Sequence, residues 1–367
     1  MLNKKIFRLN PEIFLVPGKH RSVVHNLYTG DAMWCDEEST RLLSESESNR
    51  PVPGDAEIFG MLKDKGWGCF YDSPPFIDKL RNYNVFREKR AWKETPYLSM
   101  AVLQLTDRCN LSCETCGTEF CPVCRSGHDN RTDVMLEPGE WIDIITELVG
   151  YGLKQVLLTG GEAFLYPGLQ SILTAVKNLP VAVQIHTNGQ LLPSFDCRNS
   201  AFSVKVSSAD QLLNAVNHFR NHPHVSLLVN DFDETPYKKD IPVSWHIFQV
   251  SSAPPVIQKN SLAQTDFNRF HLRRKDDECL LGKMYITSNG GIIPCFGSRE
   301  APLGNIVREG AARIIKILVD NIWNVSVARA KRGRKCASCE FVHCCVSCKF
   351  LNETEQCHYN IDNGCWD

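Results

Sequence analysis

The chain has 367 residues, 43% of them apolar, with 41 basic against 42 acidic side chains. No global field therefore draws it to nucleic acid or anionic lipid, and the apolar content is that of a soluble protein of two or three domains. No run approaches the roughly 18 apolar residues of a membrane span, and Met1–Asn10 lacks a secretory apolar region, so a cytoplasmic location is expected. In that reducing compartment the 17 cysteines point to metal or catalytic roles rather than disulfide staples.

From Ile13 to about Ser73, IFLVPG and RSVVHNLYTGDAMW read as short strands with turns at Pro17-Gly18 and Thr29-Gly30. DEESTRLLSES opens on acidic and hydroxyl residues and carries paired leucines, as a helix does. AEIFGMLKDKGW spaces Ile58, Phe59 and Leu62 helically, and CFYD closes as a strand. Strands, then helices, then a terminal strand predict a small winged-helix-like module within residues 1–95, linked onward by the charged segment Lys79–Glu94.

From Leu98 to about Val250, strand and helix patterns alternate. MAVLQLT, QVLLTGGE, VAVQIHTNG, FSVKVSS, VSLLVND and SWHIFQV read as strands. EPGEWIDIITELVGYG, YPGLQSILTAVKNL and Ala209–Asn221 read as helices. The alternation predicts an α/β fold with a parallel sheet and right-handed crossovers. Six strands suit a partial (β/α)6 barrel over residues 96–255 better than a full eight-fold one. Ligands in such sheets sit at the carboxyl ends of strands. Gly160-Gly161-Glu162, Thr187-Asn188-Gly189 and a cysteine loop all fall there. Asp231 and Asp233 follow VSLLVN where a site-facing acid sits, although a DFDE turn also reads as simply solvated. A linker signal at Ser251–Pro255 opens a third region, residues 256–367.

Five cysteines crowd the stretch after the first core strand (Cys109, Cys113, Cys116, Cys121 and Cys124), and nine more lie between Cys279 and Cys365. Cys35, Cys69 and Cys197 stand apart and read as small buried hydrophobes. Cys109-x3-Cys113-x2-Cys116 offers three thiolates on one loop, which leaves one iron of a 4Fe–4S cube open to another ligand. On spacing alone, a zinc knot completed by Cys121-x2-Cys124 remains open. The preceding strand, and the GGE sequence that ends the next one, weigh for the first reading.

On these residues the chain resembles the radical S-adenosylmethionine (SAM) enzymes. CNLSCETC matches their three-cysteine signature, LLTGGEAFLYP their second-strand motif and QIHTNGQLL their third-strand motif. The resemblance implies that Cys109, Cys113 and Cys116 hold a 4Fe–4S cluster whose open iron is chelated by SAM. It also implies that the Gly160, Gly161 and Glu162 backbone supports the methionine amine. Thr187 and Asn188 would line the site, and Ser207 would contact the ribose. The chain departs from the family at Thr115, where an aromatic residue is usual, and in Cys121 and Cys124, which are additional to the motif.

Cys279-x10-Gly290-x4-Cys295, then Cys336-x2-Cys339-x5-Cys345-x2-Cys348, then Cys357, resemble a SPASM domain. This is the auxiliary iron–sulfur extension of many peptide-modifying relatives. By that likeness Cys336, Cys339, Cys345 and Cys357 hold one auxiliary cluster, of the 4Fe–4S type. Cys279, Cys295 and Cys348 contribute to a second, whose fourth ligand is unassigned. Cys344 competes with Cys345 for one position, and Cys365 has no assignment.

The layout is similar to the grasp-with-spasm peptide maturases. That likeness implies reductive cleavage of SAM and hydrogen abstraction by a 5′-deoxyadenosyl radical. The substrate implied is a ribosomally made precursor peptide bound through residues 1–95, and electrons would come from a flavodoxin or ferredoxin. The outcome would be a thioether or carbon–carbon cross-link, or an epimerisation. The alternatives are a formylglycine-generating enzyme of the anaerobic sulfatase-maturase kind and a non-catalytic iron–sulfur or zinc scaffold. Neither nucleic acid nor membrane is an expected partner.

Overall fold

The computed structural model describes residues 4–80, 98–113, 116, 123–124, 135–192, 194–197, 199–250, 270–271, 280–298, 301–323, 334–345, 357, 359–363 and 365–366. The chain divides into two compact units: Met1–Glu88 with Val256–Glu278 and Asn324–Asp367, and Lys89–Pro255 with Cys279–Trp323. The Ser251–Pro255 linker and most of Lys79–Glu94 lie outside the described residues.

In the first unit, β1 (Lys4–Leu9) is the middle strand of an antiparallel sheet between β5 (Val52–Pro53) and β6 (Gly68–Tyr71). A second antiparallel sheet runs β2 (Ile13–Pro17), β3 (Ser22–Asn26), β4 (Ala32–Cys35). Helices Glu37–Glu47 and Glu57–Asp64 follow, the first capped by the Asp36 side chain accepting from the Ser39 amide. Alternation along β2–β4 explains the packing, because successive side chains point to opposite faces. Ile13, Leu15, Val24, Met33 and Cys35 join the core formed with Phe7, Leu43, Phe59 and Leu62. Phe14, Val16 and Val23 face the other way, onto Phe270, Phe341, Cys344 and Tyr359. Both faces of this sheet are therefore covered, and every residue of β3 is buried.

The second unit is built on one nine-stranded sheet, in the order β12-β11-β10-β9-β8-β7-β13-β14-β15, the last being Gly304–Asn305. The six strands read from sequence are β7 (Met100–Gln104), β8 (Gln155–Thr159), β9 (Ala182–Thr187), β10 (Ala201–Val206), β11 (Val225–Asn230) and β12 (His246–Val250), all mutually parallel. A mixed α/β fold with a large parallel sheet is what the alternation predicts. Helices Pro138–Gly150, Leu169–Val176 and Ala209–Phe219 bury Trp141, Ile145, Leu148, Ile172, Leu212 and Phe219. The sheet does not stop at β12. On its other side β13 (Lys283–Ile286) pairs parallel with β7 and turns back into antiparallel β14 (Gly291–Ile293). Gly290 makes that turn at φ +81°, the left-handed conformation glycine adopts without strain. The glycine of the C-x10-G-x4-C pattern is thus a hairpin residue.

Cys35 and Cys197 are buried as expected, but Cys69 is exposed on the edge strand β6, so the reading of it as a buried hydrophobe is corrected. No helix among the described residues is long and apolar enough to cross a membrane.

Candidate functional site

The carboxyl end of β7 passes directly into the loop of Cys109, Cys113 and Cys116, and the ends of β8 and β9 close against it. The Gly161 amide donates to the Thr106 carbonyl and the Glu162 amide to the Arg108 carbonyl, both at 2.8 Å. The two glycines permit that approach. A Cβ on Gly160 would lie 2.6 Å from the Thr106 oxygen, and one on Gly161 only 2.4 Å from the Arg108 oxygen. Neither contact is tolerable for a side chain.

Glu162 is fully buried. Its carboxylate accepts from the Phe164 amide at 3.0 Å, the Thr187 hydroxyl at 2.9 Å and the Asn188 amide at 2.8 Å. Burial pushes this carboxyl up, while the Asn188 and Phe164 amides and the Thr187 hydroxyl oppose it. Glu162 thus ties the end of β8 to the end of β9. Asn188 continues outward: its Nδ2 donates to Asn110 Oδ1 at 2.7 Å and reaches Cys109 Sγ at 3.8 Å. The Leu111 amide donates to the same sulfur at 3.4 Å. Burial pushes the Cys109 thiol up, and Glu162, Cys113 and Cys116 add to it against the Leu111 amide. The three thiols therefore share one neighbourhood, although among the described residues no three His, Cys, Asp or Glu side chains converge on a single metal position. The donor set and the glycine cradle fit an iron–sulfur cluster, whose sulfurs take N–H hydrogen bonds of this kind.

Ser207 is exposed at the end of β10, its amide donating to Gln211 Oε1 at 2.8 Å. Thr115 and Cys121 lie outside the described residues; Cys124 lies within them and is half-buried.

A second group of thiols gathers in the first unit. Cys339, Cys345 and Cys357 pack around Val23, Phe341 and Tyr359. Burial, with Glu340, Cys345 and Cys336 adding, pushes Cys339 up to about 12 against the Phe341 amide. That amide donates to Cys339 Sγ at 3.4 Å, repeating the turn at Cys109 two residues ahead of the sulfur. The amides of Cys344 and Cys345 both donate to the Phe341 carbonyl, at 2.8 and 2.9 Å, and the two side chains diverge. Cys345 joins the other cysteines. Cys344 is buried among Phe14, Val16, Leu27 and Phe270, with its sulfur 3.5 Å from His25 Nε2. Cys279, Cys348 and the Cys365 side chain lie outside the described residues, while Cys295 is half-buried just beyond β14.

Of the two acids past β11, Asp233 is exposed and caps the Thr235 amide at 2.9 Å; the Thr235 hydroxyl first, and then this amide, hold its carboxyl below the usual range. Asp231 takes a left-handed conformation, φ +56°, and lines a cavity with Glu234 and Gln249. The sequence reading missed the neighbours that are sequestered. Asn230 is buried, and no donor among the described residues reaches its Oδ1. His186 is buried against Ser203 Oγ at 3.2 Å and held down to about 3 by burial, with Lys205 adding. The available signal was polar residues at alternate positions, Gln184 and His186 on one strand and Ser203 and Lys205 on the next, opposite an apolar face.

Residues 103–230 match the model of the radical SAM superfamily. The chain is 32% identical over 92 residues to the S-adenosylmethionine-dependent nucleotide dehydratase of Thermoplasmatales archaeon (strain ISO4-H5), covering 25% of this chain and 30% of that one. It is 33% identical over 87 residues to the sporulation killing factor maturation protein SkfB of Bacillus subtilis, 24% of this chain and 19% of that one. A longer match, 26% identity over 212 residues, is to the GTP 3′,8-cyclase of Lactiplantibacillus plantarum, covering 56% and 55% respectively. The chain thus spans between about a fifth and just over half of these relatives. Among solved structures, Streptococcus suis SuiB bound to precursor peptide SuiA aligns over 92% of this chain and 94% of that one, at 15% identity and a TM-score of 0.41.

Proposed function

A radical SAM domain spans residues 103–230, and we propose that this chain uses it as a peptide maturase of the SPASM kind, installing a cross-link or an epimer in a ribosomally made precursor. Cys109, Cys113 and Cys116 would hold the core cluster. Cys336, Cys339, Cys345 and Cys357 would hold one auxiliary cluster, and Cys279, Cys295 and Cys348 contribute to the other. When bound, the core cluster and SAM supply a radical able to take hydrogen from an unactivated C–H bond.

The chain's own residues position and shield. The Gly160 and Gly161 backbone offers carbonyls to an ammonium group, and Ser207 offers a hydroxyl to a ribose. The Glu162 carboxylate, committed to Thr187 and Asn188, fixes the wall between them. The observation that carries the radical SAM part is this buried bracing of the cysteine loop through Gly161, Glu162 and Asn188.

Two observations favour a peptide. SkfB is by its name a maturation protein. In addition, the β2–β3–β4 sheet has both faces covered, so its unclaimed hydrogen-bonding groups lie at the outer edges of β2 and β4, which no described strand pairs. A leader peptide added there gains main-chain hydrogen bonds. Removing residues 1–88 is a poor test, because it also strips Phe14, Val16 and Val23 from the cysteine-bearing segment. Proline at Met33 and at Trp34 is better, since amides of successive strand residues point to opposite edges. The outward one should weaken leader binding at least tenfold and leave SAM cleavage intact.

Anaerobically reconstituted protein should carry about twelve irons per chain, from three 4Fe–4S clusters. With SAM and dithionite it should release 5′-deoxyadenosine. Intact clusters without SAM cleavage would leave the scaffold alternative standing. Turnover on a short peptide without a leader favours the formylglycine-generating alternative. The GTP cyclase relative, with its longer match, favours a nucleotide substrate as a second reading. Release of 5′-deoxyadenosine stimulated by GTP and not by leader-bearing peptides would establish it.

A further inference from the structure

We infer that Ser288, in the turn between β13 and β14, is a positioning residue that clips together the two ends of the cysteine-bearing segment 107–136. The inference deepens the radical SAM reading above and rests on it for the identity of the cluster. Cys109, Cys113 and Cys116 all lie inside that segment. Three thiolates serve as one ligand set only when the chain around them is held. Bringing together the ends of a long segment has an entropic cost, which bonds at those ends offset.

The segment enters from β7. Asp107 follows that strand, and its carboxylate is held on both oxygens: Gln104 Nε2 donates to Oδ1, and the Ser288 hydroxyl donates to Oδ2 at 3.2 Å. The residues on either side are braced through their carbonyls, Thr106 by the Gly161 amide and Arg108 by the Glu162 amide. The segment leaves through Leu136, just ahead of the helix Pro138–Gly150. There the Ser288 carbonyl accepts from the Leu136 amide at 2.8 Å, and the Leu136 carbonyl accepts from the Tyr166 hydroxyl at 2.7 Å. One serine therefore touches both ends, its side chain at the entrance and its carbonyl at the exit. Ser288, Leu136 and Tyr166 are buried, so a bond lost here is not readily replaced by water. The turn that presents Ser288 is itself fixed. The Gly290 amide donates to the Thr287 carbonyl at 2.9 Å, and the Thr287 hydroxyl donates to Asn289 Oδ1 at 2.8 Å. Ser288 falls within residues 256–367, read from sequence as the auxiliary domain, yet β13 pairs with β7. Polar partners standing behind metal ligands set their orientation. The hairpin thus acts on the cysteine loop through one hydroxyl and one carbonyl.

The test uses the full-length chain, with Ser288→Ala, Asp107→Ala, the double variant, and Thr287→Val as a control whose lost hydroxyl bonds lie within the hairpin. Two kinds of readout are taken. On apoprotein, the rate at which iodoacetamide alkylates each cysteine is followed by peptide mass spectrometry. On anaerobically reconstituted protein, the dithionite-reduced electron paramagnetic resonance spectrum is recorded with and without SAM, together with kcat and KM for SAM cleavage. Ser288→Ala should speed alkylation of the half-buried Cys109 and Cys116, while exposed Cys113 and core-buried Cys197 react as in wild type. It should alter the SAM-induced spectral change and lower kcat about tenfold, the low end of the loss typical for partners behind metal ligands. Asp107→Ala should show the same defect or a deeper one, and adding Ser288→Ala to it should change little further, because the two share one bond. Thr287→Val should match wild type. Wild-type alkylation and spectra in Ser288→Ala overturn the inference, as do fully additive effects of Ser288→Ala and Asp107→Ala. Faster alkylation of Cys197 in both single variants also overturns it, by assigning the pair to global stability. So does a Thr287→Val protein with the Ser288→Ala defect, which would make the hairpin's own stability the cause. If wild type binds no iron, the radical SAM reading fails, while the alkylation comparison, which needs no cluster, still decides the clip.

Discussion

The loop carrying Cys109, Cys113 and Cys116 is held by polar groups, whereas the turn carrying Cys336, Cys339 and Cys345 is held by aromatic and aliphatic packing. In the first, two glycines lie against backbone carbonyls and a buried carboxylate takes three donors from β9 and its own turn. In the second, Phe341 stands edge-on to Tyr359 and to Trp34, with Val23 beneath. Both turns aim an amide at a sulfur two residues back. The local chemistry is shared, but the support is not. A polar lattice fixes atoms closely and fails abruptly when an atom is added; an apolar floor accommodates change and weakens gradually.

The largest expected effect follows from that contrast. Gly161→Ala puts a methyl carbon 2.4 Å from the Arg108 oxygen and 2.7 Å from its carbonyl carbon, so the cysteine loop must move. A displacement of that order costs about 100-fold or more in rate. SAM cleavage should fall by at least that factor, while any iron held at the proposed auxiliary sites remains. The matching change in the apolar region, Phe341→Leu, should cost about 1 kcal/mol of stability and no iron. Equal tolerance at the two sites, in SAM cleavage assays and urea titrations, would erase the distinction.

The next effect separates two neighbours. Cys345→Ser should lose about four irons, the content of one cube, because Cys345 sits with Cys339 and Cys357. Cys344→Ser should keep its iron, because that sulfur faces His25 and Phe270 instead. The reverse pattern in metal analysis would mean that Cys344 is the ligand.

The six-strand parallel core was legible because its strands are short apolar runs, continuous in β7 and β8 and alternating in β10, separated by helical patterns, and the GGE and TNG motifs fell at strand ends as the pattern required. Three things were not legible, each for a physical reason. β1 was hidden because KKIFRL carries charge through a central strand, where Arg8 is paired with the distant Glu47 and Asn49. β13 was hidden because a four-residue strand between cysteines carries too short a period to register. The shared core of the amino-terminal sheet and the cysteine-bearing turn joins residues more than 300 positions apart, such as His25 and Cys344. No local pattern encodes such a contact. The divergence of Cys344 from Cys345 belongs to the same class, since spacing treats the two alike.

A smaller effect probes the apolar region through pH. Burial holds His25 down to about 4 from its ordinary 6.5. The folded chain therefore keeps it neutral while the unfolded chain protonates it. Its contribution to stability is present above pH 6.5, declines as pH falls toward 4, and levels off below that, for a total of about 3 kcal/mol. His186 behaves alike in the other unit, so the difference between wild type and His25→Asn isolates the first. Urea midpoints measured from pH 7.5 to 4 should converge for the two proteins as pH falls. Parallel curves would mean that His25 is already solvated in the native state.

The smallest effect tests whether the polar lattice is graded. Asn188→Ala removes the Nδ2 bonds to Asn110 and Cys109 and the Oδ1 that accepts from the Gln190 amide, but keeps the backbone amide that donates to Glu162. Of these, the bond to Asn110 is the short one that reaches the cysteine loop, and one neutral hydrogen bond at a half-buried position contributes about 1 kcal/mol. SAM cleavage should therefore slow by about five-fold, since 1.4 kcal/mol corresponds to tenfold. The loss should lie in kcat more than in KM, because Asn188 acts on the loop that carries the thiols. The reduced-cluster spectrum should shift slightly, as one sulfur loses a donor. A loss as deep as that of Gly161→Ala would mean that the outer bond to Asn110 matters as much as the buried contacts beneath it. The lattice would then act as a single all-or-none unit, in sharper contrast to the graded response of the apolar floor.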